Sequence, residues 1–131
     1  MGDIVDSCSS AGGHFNPLSK DHGARDADVR HHGDLGNVVA DSSGVVDSTF
    51  TDSLVTLHDT YSVLGRACML HSLADDLGLG GDAESKTTGN AGSRIACGTI
   101  GMSNEWISSG TLLACGSALL AFVLGTYAFL F

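Results

Sequence analysis

The feature that most constrains the fold is a stretch without charge. From Trp106 to Phe131 the chain runs 26 residues with no Asp, Glu, Lys or Arg, so all 15 acidic and six basic side chains crowd into the first 105 positions. At about 1.5 Å per helical residue such a run can cross a hydrocarbon layer of roughly 30 Å. This predicts a hydrophobic C-terminal helix over 107–131, a linker at 102–106, and a polar body at 1–101. The tail is expected to act either as a membrane anchor or as a signal replaced by a glycolipid.

The net charge of −9 belongs to the body alone. An acidic surface excludes nucleic acid, because phosphate binding needs clustered Lys and Arg to displace counterions. It leaves small anions open, since a local positive funnel can work within a negative protein. Most of the 18 glycines are interleaved with Asp, Asn and short β-branched runs. That is the pattern of a loop-rich all-β protein. In "GNVVADSSGVVDSTFTD" (36–52) the turn-forming "DSSG" predicts a hairpin, and further short strands are expected at 54–58, 66–71 and 94–100. No helical period of useful length runs through the body.

His14, His22, His31 and Asp34 fall within 21 residues, on a stretch broken by Pro17, Gly23 and Gly33. Three imidazoles and a carboxylate are donors that a tetrahedral zinc ion accepts, and a loop can wrap them around one ion. By donor type alone, a solvated polar loop remains an equal alternative.

Five stretches bear on that choice: "CSSAGGHFNP" (8–17), "HGDLGNV" (32–38), "LGRACMLH" (64–71), "ADDLGLGG" (74–81) and "TGNAGSRIACGTIG" (88–101). In order and spacing they resemble the copper/zinc superoxide dismutases. The resemblance covers nearly everything from Gly2 to Gly101 and implies part of a Greek-key β-barrel, namely its second half with the long metal-binding loops. It assigns His14, His22, His31 and Asp34 to zinc, with His14 shared between zinc and copper, and His71 to copper. Asp75 would accept hydrogen bonds from ligand imidazoles, a role that fixes ring orientation. Arg94 would dock superoxide beside copper, and the loop holding Lys86 would add to the attracting field. Cys8 would bond Cys97, closing a loop of about ninety residues that the chain-entropy model values at about 4 to 5 kcal/mol. His32, His58, Cys68 and Cys115 receive no role.

The same resemblance places the family's first four strands, and a histidine-any-histidine pair of copper ligands, before the segment where this chain starts. Copper is then left with His14 and His71, and two imidazoles are too few to hold a redox-cycling ion in fixed geometry. A half barrel also leaves open edges that invite pairing with a second copy. One expectation is a longer product whose amino-terminal extension carries a secretion signal, the missing strands and the histidine pair. That product would be a superoxide-dismuting enzyme at the cell surface. The alternatives are a zinc-binding, membrane-tethered relative without redox activity, and an inactive fragment.

Overall fold

A computed structural model describes Ile4, residues 6–102 and residues 126–130; among residues 126–130, only the Ala128 side chain is described. The chain contributes one short 3-10 turn, Cys8–Ala11, and four strands: β1 (Asp34–Val39), β2 (Ala67–His71), β3 (Arg94–Thr99) and β4 (Thr126–Leu130). They form one sheet in the order β1-β4-β2-β3, antiparallel at every junction. The expected all-β character of the body holds.

Two of the anticipated strands form: β2 and β3 lie within the stretches foreseen at 66–71 and 94–100. The hairpin does not. The turn is made, with Gly44 N–H donating to the Asp41 carbonyl at 3.0 Å and Asp41 N–H to the Val45 carbonyl at 2.8 Å. Beyond it no second strand follows. Asp41 Oδ1 accepts from Ser43 N, Ser43 Oγ and Val45 N, so local side-chain bonds satisfy backbone groups that a ladder would otherwise use. Leu54–His58 is likewise not a strand, retaining only one bridge, Thr56 to Ser62.

The partner that β1 takes instead is β4, a strand where the sequence predicted helix. Residues 103–125, the larger part of the expected tail, lie outside the described residues, as does Cys115. Among the described residues no helix is long and apolar enough to cross a membrane.

Packing is modest. Val63, Cys68 and Ile100 form one buried cluster with Phe15, Val55 and Leu57 against it, and Ala91 and Ala128 form a second. Two further devices tie the loops to the sheet. Cys8 is disulfide-bonded to Cys97, joining the 3-10 turn to β3 across 89 residues of sequence. Arg30, buried, donates through Nη2 to both Asp52 oxygens at 2.9 and 2.8 Å and through Nη1 to the Asp34 carbonyl at 3.1 Å. Gly36, at φ +76, sits where the β1–β4 register shifts, a bulge that L side chains resist.

Candidate metal centre

Asp34, the first residue of β1, is the hub. It is fully buried, and its Oδ2 is pinned by Gly23 N–H at 3.1 Å and His31 N–H at 2.8 Å. With that oxygen held by backbone, Oδ1 faces three imidazoles: His14 Nδ1 at 2.9 Å, His22 Nδ1 at 3.0 Å and His31 Nδ1 at 3.1 Å. The ligand atoms of these four residues all lie within 4.8 Å of one another. The loop from 14 to 34 wraps because Gly23 lets the chain close on itself: a Cβ there would collide with the Val29 carbonyl.

Burial opposes charge on Asp34, yet hydrogen bonds from the three histidines outweigh it and hold the carboxyl far below its usual range. Burial likewise disfavours charged His22, but the flanking carboxylates of Asp34 and Asp75 prevail and raise it to about 9. Three imidazoles converging on one buried anion form a site ready to exchange a proton for a cation.

Asp75 reaches the centre from the far side of the sequence. Its Oδ1 lies 2.7 Å from His22 Nε2 and accepts from Leu77 N–H at 2.7 Å. With Nε2 so engaged, His22 Nδ1 is directed at the cluster, where it is buried and has no aligned hydrogen-bond partner among the described residues. A buried imidazole nitrogen 3.0 Å from a carboxylate oxygen, that fixed carboxylate and two more imidazoles suit zinc, whose ligands are oriented by such outer carboxylates. The loop carrying Asp75 closes over His22 by main chain as well, since His22 N–H donates to the Lys86 carbonyl at 2.8 Å.

His71, at the end of β2, stands apart from this group. Its Nδ1 contacts the Gly92 carbonyl at 3.1 Å, and its ring lies 6.4 Å from that of His14. Burial, reinforced by the charges of His14 and Arg94, lowers its pKa. Among the described residues the only group of three or more candidate ligands is the one around Asp34. Among the described residues that donor set fits a zinc ion, and His71 lies outside it.

Arg94 opens β3 with its guanidinium bound to main chain: Nη1 donates to the carbonyls of Cys8 at 3.1 Å and Ser9 at 3.0 Å, and Nη2 to that of Gly12. Lys86 is exposed, and its Nζ donates to the Gly78 carbonyl at 2.7 Å. His32 packs edge-on between Phe15 and Tyr61, away from the cluster, and His58 is exposed. The Arg30–Asp52 pair escaped sequence reading, because no motif joins residues 22 apart through a buried ion pair.

Comparison with known proteins agrees with this geometry. Residues 1–100 match the family model described as copper/zinc superoxide dismutase. The chain is 52% identical over 101 residues to the extracellular Cu-Zn superoxide dismutase of Drosophila melanogaster, covering 77% of this chain and 56% of that one. It is 56% identical over 103 residues to Cu-Zn superoxide dismutase 1 of Debaryomyces hansenii, covering 79% and 67%. A third relative, the Cu-Zn superoxide dismutase of Paramecium bursaria Chlorella virus 1, is 50% identical over 104 residues, covering 79% and 56%. The chain thus spans between about half and two thirds of the length of these curated relatives. On that match it belongs to the copper/zinc superoxide dismutase family.

Proposed function

We propose that this chain is the zinc-binding portion of a superoxide dismutase, and that the whole protein converts two superoxide anions and two protons into dioxygen and hydrogen peroxide. The observation that carries this reading is the convergence of His14, His22 and His31 on one oxygen of buried Asp34. Those four residues would hold zinc, which supplies a redox-inert positive charge that fixes the loop.

The chain's own residues do the rest. Asp75 orients His22 through Nε2. Arg94, its guanidinium anchored by three carbonyls of the disulfide-bearing turn, offers a fixed cation to an approaching anion. Lys86 adds an exposed charge on the neighbouring loop. The Cys8–Cys97 bond suits an oxidising compartment, and an extracellular location, as in the Drosophila relative's name, belongs to the same proposal.

One observation favours a second reading, a non-catalytic zinc-binding protein: among the described residues the group of three or more candidate ligands is the one around Asp34, and His71 lies outside it. Metal analysis and superoxide decay measured on one preparation of the whole protein separate the two. The enzyme reading expects zinc and copper each near one per chain. It also expects dismutation that His71→Ala nearly abolishes and Arg94→Ala reduces in part. Zinc alone, with superoxide decaying at its spontaneous rate, establishes the second reading.

A further inference from the structure

Between Arg66 and Arg94 the chain carries a single cation, Lys86, among four acids, Asp75, Asp76, Asp82 and Glu84. A lone ammonium in that company has several carboxylates to pair with. Its Nζ goes instead to a main-chain carbonyl, that of Gly78, at 2.7 Å. The choice of partner points to a task at Gly78.

Leu77 and Gly78 both take positive φ, +61 and +77, in a tight turn that a non-glycine residue enters at a cost. Inside the turn, Asp75 Oδ1 accepts from Leu77 N–H at 2.7 Å and Asp76 Oδ1 from Gly78 N–H at 2.9 Å. The turn presses on the histidine loop, since a Cβ at Gly78 would fall 2.6 Å from the His22 carbonyl oxygen and 3.6 Å from Gly23 Cα. The His22 N–H meets the other half of the same loop, donating to the Lys86 carbonyl at 2.8 Å. Lys86 therefore reaches His22 twice. Its carbonyl holds the His22 amide directly, and its side chain holds the Gly78 turn that lies against the His22 carbonyl. These contacts close a ring around the main chain of a residue whose imidazole faces both Asp34 and Asp75.

We infer that Lys86 is a positioning residue for His22: its ammonium straps the Gly78 turn to the second half of the loop and so fixes the main chain from which the imidazole projects. The inference rests on the zinc reading above and gives this side chain a task separate from attracting anions. An ammonium donating to a carbonyl forms a charge-assisted bond, stronger than a neutral one. The strap depends on where the donor sits and not on charge alone. Thr87, the next residue, turns its hydroxyl back on its own turn, to the carbonyls of Ala83 at 3.3 Å and Glu84 at 3.1 Å. A lysine placed there restores the net charge from a position directed away from Gly78.

The test compares the intact chain with Lys86→Met, with Lys86→Arg, and with Lys86→Met combined with Thr87→Lys. Methionine keeps an apolar stem and removes the donor, arginine keeps a donor, and the double variant returns the charge one residue away. Two quantities are measured on each: hydrogen exchange of the His22 amide in the metal-free chain, by NMR, and release of zinc to an excess of chelator. Lys86→Met is expected to cost the His22 amide about tenfold in protection. Zinc release should quicken by about five- to tenfold, at the low end of what loss of a direct outer partner costs, because Lys86 acts through main chain. The double variant should stay as impaired as Lys86→Met, while Lys86→Arg should return both quantities to within about threefold of the unmodified chain. Unchanged protection in Lys86→Met overturns the proposal, and so does an equal loss in Lys86→Arg. Full recovery in the double variant overturns it as well, because charge alone would then suffice. The exchange measurement needs no metal, so a chain that takes up no zinc defeats the zinc reading while the strap is still decided.

Discussion

The two sides of His14 are built differently. On one side, Asp34 collects three imidazoles and two backbone amides, and every contributor comes from residues 14–34. On the other, His71 stands on β2 with one contact to the Gly92 carbonyl, and its nearest imidazole is 6.4 Å away. The first region is closed by local chain and over-determined; the second is completed only by whatever the sheet brings to it. The group around Asp34 is therefore complete within a chain that spans part of its relatives' length, whereas His71 takes its setting from the sheet.

The largest effect should come from breaking the closed side at its hub. Asp34→Ala removes the common acceptor and leaves His22 facing only Asp75. Zinc affinity should fall more than about a hundredfold, beyond what losing an outer partner costs. Metal-free stability should fall by about 3–5 kcal/mol, as for other buried ion pairs that lose one member. Chelator competition and urea unfolding measure the two losses separately.

A pair of glycines sharpens the comparison at the next level down. Gly89 and Gly81 both adopt positive φ, +68 and +84, so alanine strains the backbone at either. Their surroundings differ: a Cβ at 89 would fall on Asp75 Oδ1 and His22 Nε2, while one at 81 meets nothing within 4 Å. Gly81→Ala should cost about 1 kcal/mol and leave zinc affinity unchanged. Gly89→Ala should add a ten- to hundredfold loss of zinc affinity, because it displaces the carboxylate that orients a ligand. Equal losses at both positions would reduce the effect to backbone strain.

How much of this was legible follows from the range of each interaction. The cluster of His14, His22, His31 and Asp34 was half readable, because its members are neighbours in sequence and of matching chemistry, but donor type alone left a solvated loop an equal alternative. Asp75 was not readable from the residues alone; its link to His22 crosses 53 positions, and only family resemblance suggested it. The Arg30–Asp52 pair left no trace at all. The missed hairpin and the unforeseen β4 share one cause. Period and apolarity propose a strand or a helix, but pairing decides. Val45 is 48% exposed with its backbone satisfied by Asp41, while TYAFL, read as helix from the length of its apolar run, finds two open edges.

Acidity probes the same contrast with a smaller lever. In the metal-free protein His22 is raised to about 9, so its contribution to stability is fully present below about pH 6.5 and is lost as pH rises through about 9. Asp34 is shifted down, so its contribution is present above the ordinary carboxylate range and is lost only in strong acid. Zinc must displace the His22 proton, so apparent affinity should climb up to about tenfold per pH unit between about 6.5 and 9, then level off. A flat profile, measured by chelator competition across that range, would mean that the imidazole enters the site already neutral.

The smallest expected effect is the most discriminating. His71 lies outside the group whose ligand atoms fall within 4.8 Å, and burial and the charges of His14 and Arg94 already lower its pKa. Nothing in the zinc group bonds to it; its fixed partner is the Gly92 carbonyl. His71→Ala should therefore change zinc affinity by less than about threefold, as expected for positions without a shared partner. His14, however, faces both regions. If the two are energetically one site, the loss of His71 must reach zinc through that ring, and affinity would drop by tenfold or more. That outcome would break the comparison, making the open side part of what holds the closed side together.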